Sequence, residues 1–287
     1  MTMKRSDFRC LHRMRVRWAE VDMQKIVFNV HYLMYFDTAM ADYWRALALP
    51  YESSMHQLGG DTYVKKATVE YFASARYDDQ LTVGLRCGRV GSSSIRFDGA
   101  IFRGETLLVT GELLYVFADP ATQRSRPVPE ALRDLFLVYE AGQPVVTLET
   151  GGWNALQSSV AGLRQSVFVE EQGIDPALVW DASDASAVHA VLTNRLGLPV
   201  ASGRLVQLAP GVGRIGRMAV HRLLRGARLG RDVLDALLAA ARQRGDTEVM
   251  LHAQCEAEGF YRRLGFAARG DVFKEAGIDH IEMVCAL

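Results

Sequence analysis

Hydrophobic and polar positions fall into two textures along this chain, and the change comes near residue 140. Met14 to Glu20 alternates as a strand, polarity rises at VDMQK, and the segment IVFNVHYLMYFDTAMADYWRAL then takes spacings of three and four. Leu33, Phe36, Met40, Tyr43 and Leu47 predict one buried helical stripe, with Asp37, Asp42 and Arg45 off it and Pro50 ending it. Four runs rich in β-branched and aromatic residues follow: TYVKKATVEYFA, QLTVGLRCGRV, SIRFDGAIFR and TLLVTGELLYVFA. Their breaks, RYDD, GSSS and Gly104-Glu105, are turn-like. One long helix followed by consecutive antiparallel strands predicts an α+β unit whose sheet wraps the helix. DPATQRSRPVPEALRDLF then predicts a loop and a closing helix, with Pro129 in its first turn.

A linker near Tyr139-Glu-Ala-Gly-Gln-Pro144 separates this unit, residues 1–140, from an alternating α/β unit with a mixed sheet, residues 144–287. ALQSSVAGLRQSVFVEEQ predicts a helix, AVHAVLTN and PVASGRLVQL a strand pair, and GRIGRMAV a strand. LGRDVLDALLAAARQRG predicts a helix stopped by Gly245, EVMLHA a strand, EAEGFYRRLGF a helix and HIEMVCAL the last strand.

The 287 residues suffice for two domains. Lys+Arg and Asp+Glu number 33 each, and dividing the chain after Glu140 leaves 18 basic against 17 acidic, then 15 against 16. Neither half has the net charge of a general nucleic-acid binder. No apolar run is of bilayer-spanning length, and MTMKRSDFRCLHRMRVRW carries charges where a secretion signal needs its apolar stretch. A cytoplasmic protein with no membrane partner is expected. Cys10, Cys87, Cys255 and Cys285 are far apart and predict reduced thiols without a metal site.

RWAEVDMQKIVFNVHY places Asp22 after a strand, in a polar turn before the amino end of an apolar helix. Helix-start N–H groups stabilise an oxyanion, and a nearby carboxylate attacks or activates water; a plain turn-capping acid has the same spacing. D-M-Q-K-I-V-F-N-V-H-Y resembles the hotdog thioesterase signature D-x-x-G-x-V-x-x-x-x-Y of the hydroxybenzoyl-CoA type, matching at Asp22, Val27 and Tyr32, and the resemblance covers about residues 12–138. It implies a hotdog domain in which Asp22 is the catalytic carboxylate of acyl-CoA hydrolysis. Tyr32 and Leu33 become candidate oxyanion N–H donors, and His31 a group that orients substrate or water. Hotdog domains pair, so a homodimer or homotetramer is expected. Lys25 stands where the family has its turn glycine.

Six arginines and no acid lie between Arg214 and Arg231, a local anion site in a neutral domain. R225-G226-A227-R228-L229-G230 is similar to the R/Q-x-x-G-x-G/A acetyl-CoA loop of the GNAT acyltransferases, with Arg228 in place of the first motif glycine. LRQSVFVEEQGI and HAQCEAEGFYRRLGF extend the resemblance over about residues 153–287. It implies CoA binding by Arg225, Gly226, Ala227, Arg228, Gly230 and Arg231, with backbone groups of Met218 and Val220 holding the pantetheine arm. Tyr261 becomes the acid that protonates the departing thiolate. Glu171 is favoured as general base for an amine, beside Glu170, His252 and His280.

Together these readings predict a bifunctional enzyme with acyl-CoA and acetyl-CoA as substrates, an amine acceptor, and neither a metal nor a permanently bound cofactor. Two rivals follow from the same residues. With glycine replaced at Lys25 and Arg228, one domain is a silent acyl-CoA binder that regulates the other, or the second domain makes an acyl signal.

Overall fold

The computed structural model describes residues 3–287, in two compact units that meet in sequence at Val145 and Val146. The first contains β1 (Cys10–Arg15), α1 (His31–Ala46), α2 (Tyr51–Leu58), β2 (Asp61–Tyr71), β3 (Gln80–Val90), β4 (Ser94–Arg103), β5 (Thr106–Ala118) and α3 (Glu130–Glu140). Its five strands form an antiparallel sheet in the order β1-β3-β4-β5-β2. The sheet wraps α1, as expected. Close approach depends on a missing side chain: Gly99 and Gly111 are cross-strand partners, and a Cβ at either would fall 2.5 or 2.6 Å from the ring of buried Phe36.

Three sequence expectations need correction here. The first strand is Cys10–Arg15 and stops before Glu20, because Glu20 accepts the backbone N–H of Arg17 and closes a 3₁₀ turn over Trp18–Glu20. The central helix begins at His31, and Leu33 is 36% exposed; the buried face runs through Tyr32, Tyr35, Phe36, Ala39, Met40, Tyr43 and Trp44. Pro129 caps α3 from just outside its first turn. Helix α2, which buries only Ser54 and Met55, has too few apolar positions to show a period.

The second unit contains β6 (Val146–Gly151), α4 (Trp153–Arg164), α5 (Pro176–Val179), β7 (Val188–Asn194), β8 (Pro199–Ala209), β9 (Val212–Val220), α6 (Leu229–Arg244), β10 (Glu248–Gln254), α7 (Glu258–Arg262), β11 (Ala267–Glu275) and β12 (Ile278–Ala286). The expected helix over 155–172 is α4 followed directly by a π-helical stretch, Gln165–Glu171. The sheet order is β11-β12-β10-β9-β8-β7-β6, a mixed sheet in which only β9 and β10 are parallel. The sequence reading passed over β6 and β11. Both are edge strands with mostly exposed positions, so neither carries an alternating apolar face.

The four cysteines are free thiols, and no helix among the described residues is long and apolar enough to cross a membrane. Burial, with the negative charges of Asp42 and Glu140 nearby, pushes Cys10 up to about 12. It is a protonated core side chain at neutral pH.

The glycine pair under Phe36 makes the first prediction. Gly99→Ala or Gly111→Ala should lower the stability of the first unit by about 1–3 kcal/mol, the usual cost of overpacking a core. Urea unfolding followed by hydrogen exchange would locate that loss in β4, β5 and α1 and leave the second unit unchanged.

Candidate active sites

In the first unit, residues 20–28 form a tight hairpin. Val21 bridges Val27, the Phe28 N–H donates to the Glu20 carbonyl at 2.9 Å, and the Asp22 N–H donates to Ile26 at 2.9 Å. Lys25 sits at the turn with φ 62°, the left-handed region, and its N–H donates to the Asp22 carbonyl at 2.9 Å. A lysine therefore adopts the backbone that glycine would, at a cost in strain. The half-buried Asp22 carboxylate accepts the Gln24 N–H at 2.8 Å through one oxygen. Its other oxygen takes no protein donor among the described residues.

Below this turn lies a carboxylate that the sequence reading missed. Glu20 is buried and accepts the Arg17 N–H at 2.8 Å, Arg17 Nε at 2.7 Å and the Tyr35 hydroxyl at 2.8 Å. Burial works to raise its pKa, but the Arg17 backbone, the Tyr35 hydroxyl and the Arg17 guanidinium outweigh that and hold it below the usual carboxylate range. Glu20 stays ionised and anchors the hairpin that carries Asp22.

The candidate oxyanion donors shift. The N–H groups of His31, Tyr32 and Leu33 donate to Phe28, Asn29 and Val30 at 2.9, 3.4 and 3.2 Å, so the Tyr32 and Leu33 donors are already spent in the first turn. Among the described residues, the preceding N–H groups, of Asn29 and Val30, have no acceptor. A helix start leaves its earliest donors open, and these two follow directly on Phe28, whose N–H is paired beside the Asp22 turn. The buried Tyr32 phenol accepts the Ala75 N–H at 2.9 Å. His31 keeps a buried Nδ1 without a partner.

In the second unit, the parallel ladder between β9 and β10 lasts for three pairs, ending at Arg214 and Met250. Beyond it β9 pairs only with β8 and β10 only with β12, so one edge of each lacks a strand partner; on β9 that edge runs past Met218 to Val220, whose carbonyl accepts Arg225. Unpaired strand backbone suits an amide-bearing arm such as pantetheine. The loop after β9 leads to the start of α6, with Gly226 at φ 88° and Arg228 at φ 67°. Among the described residues, the N–H groups of Gly226, Arg228, Leu229 and Gly230 have no acceptor. They present four donors and the positive end of a 16-residue helix.

A cavity of about 1370 Å³ lies against this loop, bordered by Met218, Val220, Arg225, Gly226, Arg228, Gly230, Arg231 and Tyr261. Ala227 is the exception among the expected contacts: it packs against the core, and its N–H donates to Leu224 at 3.2 Å. Arg225 forms a two-pronged ion pair with Glu171 at 2.6 and 2.8 Å and also donates to the Val220 carbonyl at 3.3 Å. The favoured base, Glu171, is thus engaged on both oxygens by a guanidinium.

A second cavity, of about 910 Å³, meets the first at Gln172, Met218, Gln254, Ala257 and Tyr261. Tyr261 is 8% exposed, and burial pushes its phenol up to about 12, so it keeps its proton at neutral pH. His252 and His280 border this second cavity, while Glu170 borders neither. His252 Nδ1 lies 2.6 Å from Glu275, and His280 Nδ1 lies 2.9 Å from the Ile278 carbonyl. No group of residues able to hold a metal ion occurs among the described residues.

One wall of this cavity is fixed by charge. Asp184 is buried and accepts Arg164 and Arg204, each at 2.9 Å, and Arg204 also donates to Asp181 at 2.9 Å. Arg217, in left-handed backbone where β9 bulges against β8, donates to Leu178 at 2.7 Å, Val179 at 3.0 Å and Asp181 at 3.1 Å. Burial works against ionised Asp181, but Arg204 and Arg217 dominate and hold it down at about 2. The sequence shows these arginines only as a positive cluster, without their partners.

Known proteins resemble the two halves separately. Residues 16–136 match the thioesterase-like superfamily, and residues 183–287 match the acetyltransferase (GNAT) domain. The uncharacterized N-acetyltransferase YjcF of Bacillus subtilis is 31% identical over 123 residues, covering 42% of this chain and 86% of that protein. The acyl-CoA thioester hydrolase YbgC of Escherichia coli O157:H7 is 29% identical over 119 residues, covering 41% of this chain and 88% of that protein. Among solved structures, a 1,4-dihydroxy-2-naphthoyl-CoA thioesterase from Synechocystis is similar with a TM-score of 0.41 and 17% identity, over 44% of this chain and 94% of its own.

The left-handed turn at Lys25 can be tested by stability. Lys25→Gly should raise the stability of the first unit by roughly 1 kcal/mol, and Lys25→Val should lower it by at least as much, because a β-branched residue tolerates positive φ worst. Paired urea titrations would check the opposite signs.

Proposed function

Because the chain belongs to the GNAT acetyltransferases through its second unit and carries a thioesterase-like hotdog domain in its first, we propose that it is a bifunctional CoA-thioester enzyme. The first unit hydrolyses acyl-CoA, and the second transfers an acetyl group from CoA to an amine. One observation carries the reading. In both units, helix-start N–H groups with no acceptor among the described residues occur with a residue of the right chemistry, Asp22 in the turn before the helix in one and Tyr261 on the wall of the loop's cavity in the other. The replaced glycines support it too, since Lys25 and Arg228 both take left-handed backbone and leave the loops in a glycine-like course.

In the first unit, the free oxygen of Asp22 attacks the thioester carbonyl or takes a proton from a water that does so. The Asn29 and Val30 N–H groups receive the oxyanion and the C–S bond breaks. On the water route the thiolate leaves with the proton that Asp22 took; on the nucleophilic route water then hydrolyses the acyl–Asp22 anhydride, freeing the carboxylate and supplying the thiolate's proton. In the second unit, the open edge of β9 holds the pantetheine arm, and the N–H groups of Gly226, Arg228, Leu229 and Gly230 hold the pyrophosphate. A neutral amine attacks the acetyl carbonyl, an N–C bond forms, and the C–S bond breaks. The thiolate takes the Tyr261 proton, and the proton shed by the new amide nitrogen restores the phenol through water. Positioning carries most of the rate, so no single base is required.

We further propose that the protein pairs through its first unit. β2 is an edge strand with Val64 and Tyr71 exposed, followed by exposed Phe72. The Tyr71 hydroxyl donates to the Asn29 carbonyl at 3.2 Å, which links this edge to the helix start. A second copy on β2 would cover apolar surface and approach the Asp22 site.

Thiol release from acyl-CoAs of varied chain length, with and without pooled amines, tests both activities. Asp22→Asn should reduce amine-independent release at least about a hundredfold. Amine-dependent release should persist in that variant and fall in Tyr261→Phe; near-normal hydrolysis by folded Asp22→Asn would refute the first assignment. Light scattering tests pairing: Val64→Glu combined with Phe72→Glu should yield a monomer from a dimer or tetramer. A monomeric, active parent would refute it.

A further inference from the structure

Four guanidinium groups border the 910 Å³ cavity: Arg204, Arg214, Arg217 and Arg244. Three are spent on the protein. Arg204 bonds Asp181 and Asp184, Arg217 bonds Leu178, Val179 and Asp181, and Arg244 bonds Asp246 at 2.6 Å. Arg214 differs. Its ion pair with Glu275, which borders the same cavity, is 3.8 Å long, outside hydrogen-bond distance.

The other neighbour of Arg214 is His252, whose Nδ1 lies 3.0 Å from a terminal guanidinium nitrogen and 2.6 Å from a Glu275 oxygen. A ring nitrogen offers either a proton or a lone pair. Donating to Glu275, the shorter contact, leaves Nδ1 nothing for Arg214. A guanidinium on the cavity wall therefore keeps N–H donors that no described residue fills. Its planar fork matches a carboxylate.

The position of Arg214 adds a length. It pairs with Met250 at the last rung before β9 and β10 part, whereas Met218, where the two cavities meet, is four residues further along. At strand rise, shortened by the residue taken up in the β9 bulge at Arg217, that is roughly 10 Å. We propose that Arg214 binds the carboxylate of the amine acceptor, so that the second unit acts on small molecules with an amine and a carboxylate at opposite ends of an extended chain. The fate of the amine rests on the acetyl-transfer reading. Capture of the carboxylate does not.

Calorimetry on the full chain with aminohexanoate and with aminohexanamide separates the two. The acid should bind at least roughly tenfold tighter than the neutral amide, a difference of about 1.4 kcal/mol. Arg214→Met should erase that preference and leave CoA affinity unchanged, and Arg214→Lys should retain part of it. With acetyl-CoA added, amide product should form in the same order of preference. Acid-selective binding without product would sink the transferase reading and uphold the Arg214 site. Equal binding of acid and amide, no binding of either at millimolar concentration, or an Arg214→Met variant that weakens both alike would overturn the proposal. The comparison of acid with amide on the unaltered chain reads the outcome even where a variant does not fold.

Discussion

A guanidinium with no access to water requires a carboxylate, and Arg164 meets that requirement with Asp184. Much of the second unit is arranged around this pair. Burial lowers the pKa of Arg164, and the Asp184 partnership opposes that shift. The same Asp184 oxygen also receives Arg204 from β8, and Arg204 reaches Asp181, which takes Arg217 from the bulge in β9. One chain of alternating charge therefore ties the end of α4, the segment around residues 178–184, β8 and the bulge. Since α4 runs straight into the π-helical stretch ending at Glu171, the same anchor sets where that carboxylate meets Arg225.

The two units use backbone in comparable ways although their folds differ. Each has main-chain donors with no acceptor among the described residues at a helix start, reached through a loop with a non-glycine residue in the left-handed region. Such residues persist only where the surroundings fix them. For Lys25 the constraint is the hairpin closed by the Asp22–Ile26 and Glu20–Phe28 bonds. Arg228 is held by the α6 start, where its carbonyl accepts the N–H groups of Arg231 and Asp232.

The legible part of the chain was that with a strong period or punctuation. β3, β4 and β5 match the expected runs because β-branched and aromatic residues are bounded there by turn residues. α6 was visible from its apolar face and Gly245. Elements without an apolar face, such as β6, β11 and α2, were not. At the sites, residue type pointed to Asp22, Tyr261 and the Arg225–Gly230 loop, but register did not. The open donors fall at Asn29 and Val30 rather than Tyr32 and Leu33 because the first turn already consumes the later pair. The engagement of Glu171, the burial of Glu20 and the setting of Arg214 beside His252 and Glu275 depend on partners far away in sequence, and no local pattern encodes them.

Arg225 occupies two acceptors at once, the Glu171 carboxylate and the Val220 carbonyl. The wall of the larger cavity therefore carries an internal ion pair. A ligand that takes the place of Arg225 on the Val220 carbonyl displaces its Nε, and one that draws the whole guanidinium away leaves Glu171 without that partner. Entry on this side is an exchange of partners, and its cost depends on how well the newcomer's anionic groups replace the carboxylate that Arg225 gives up.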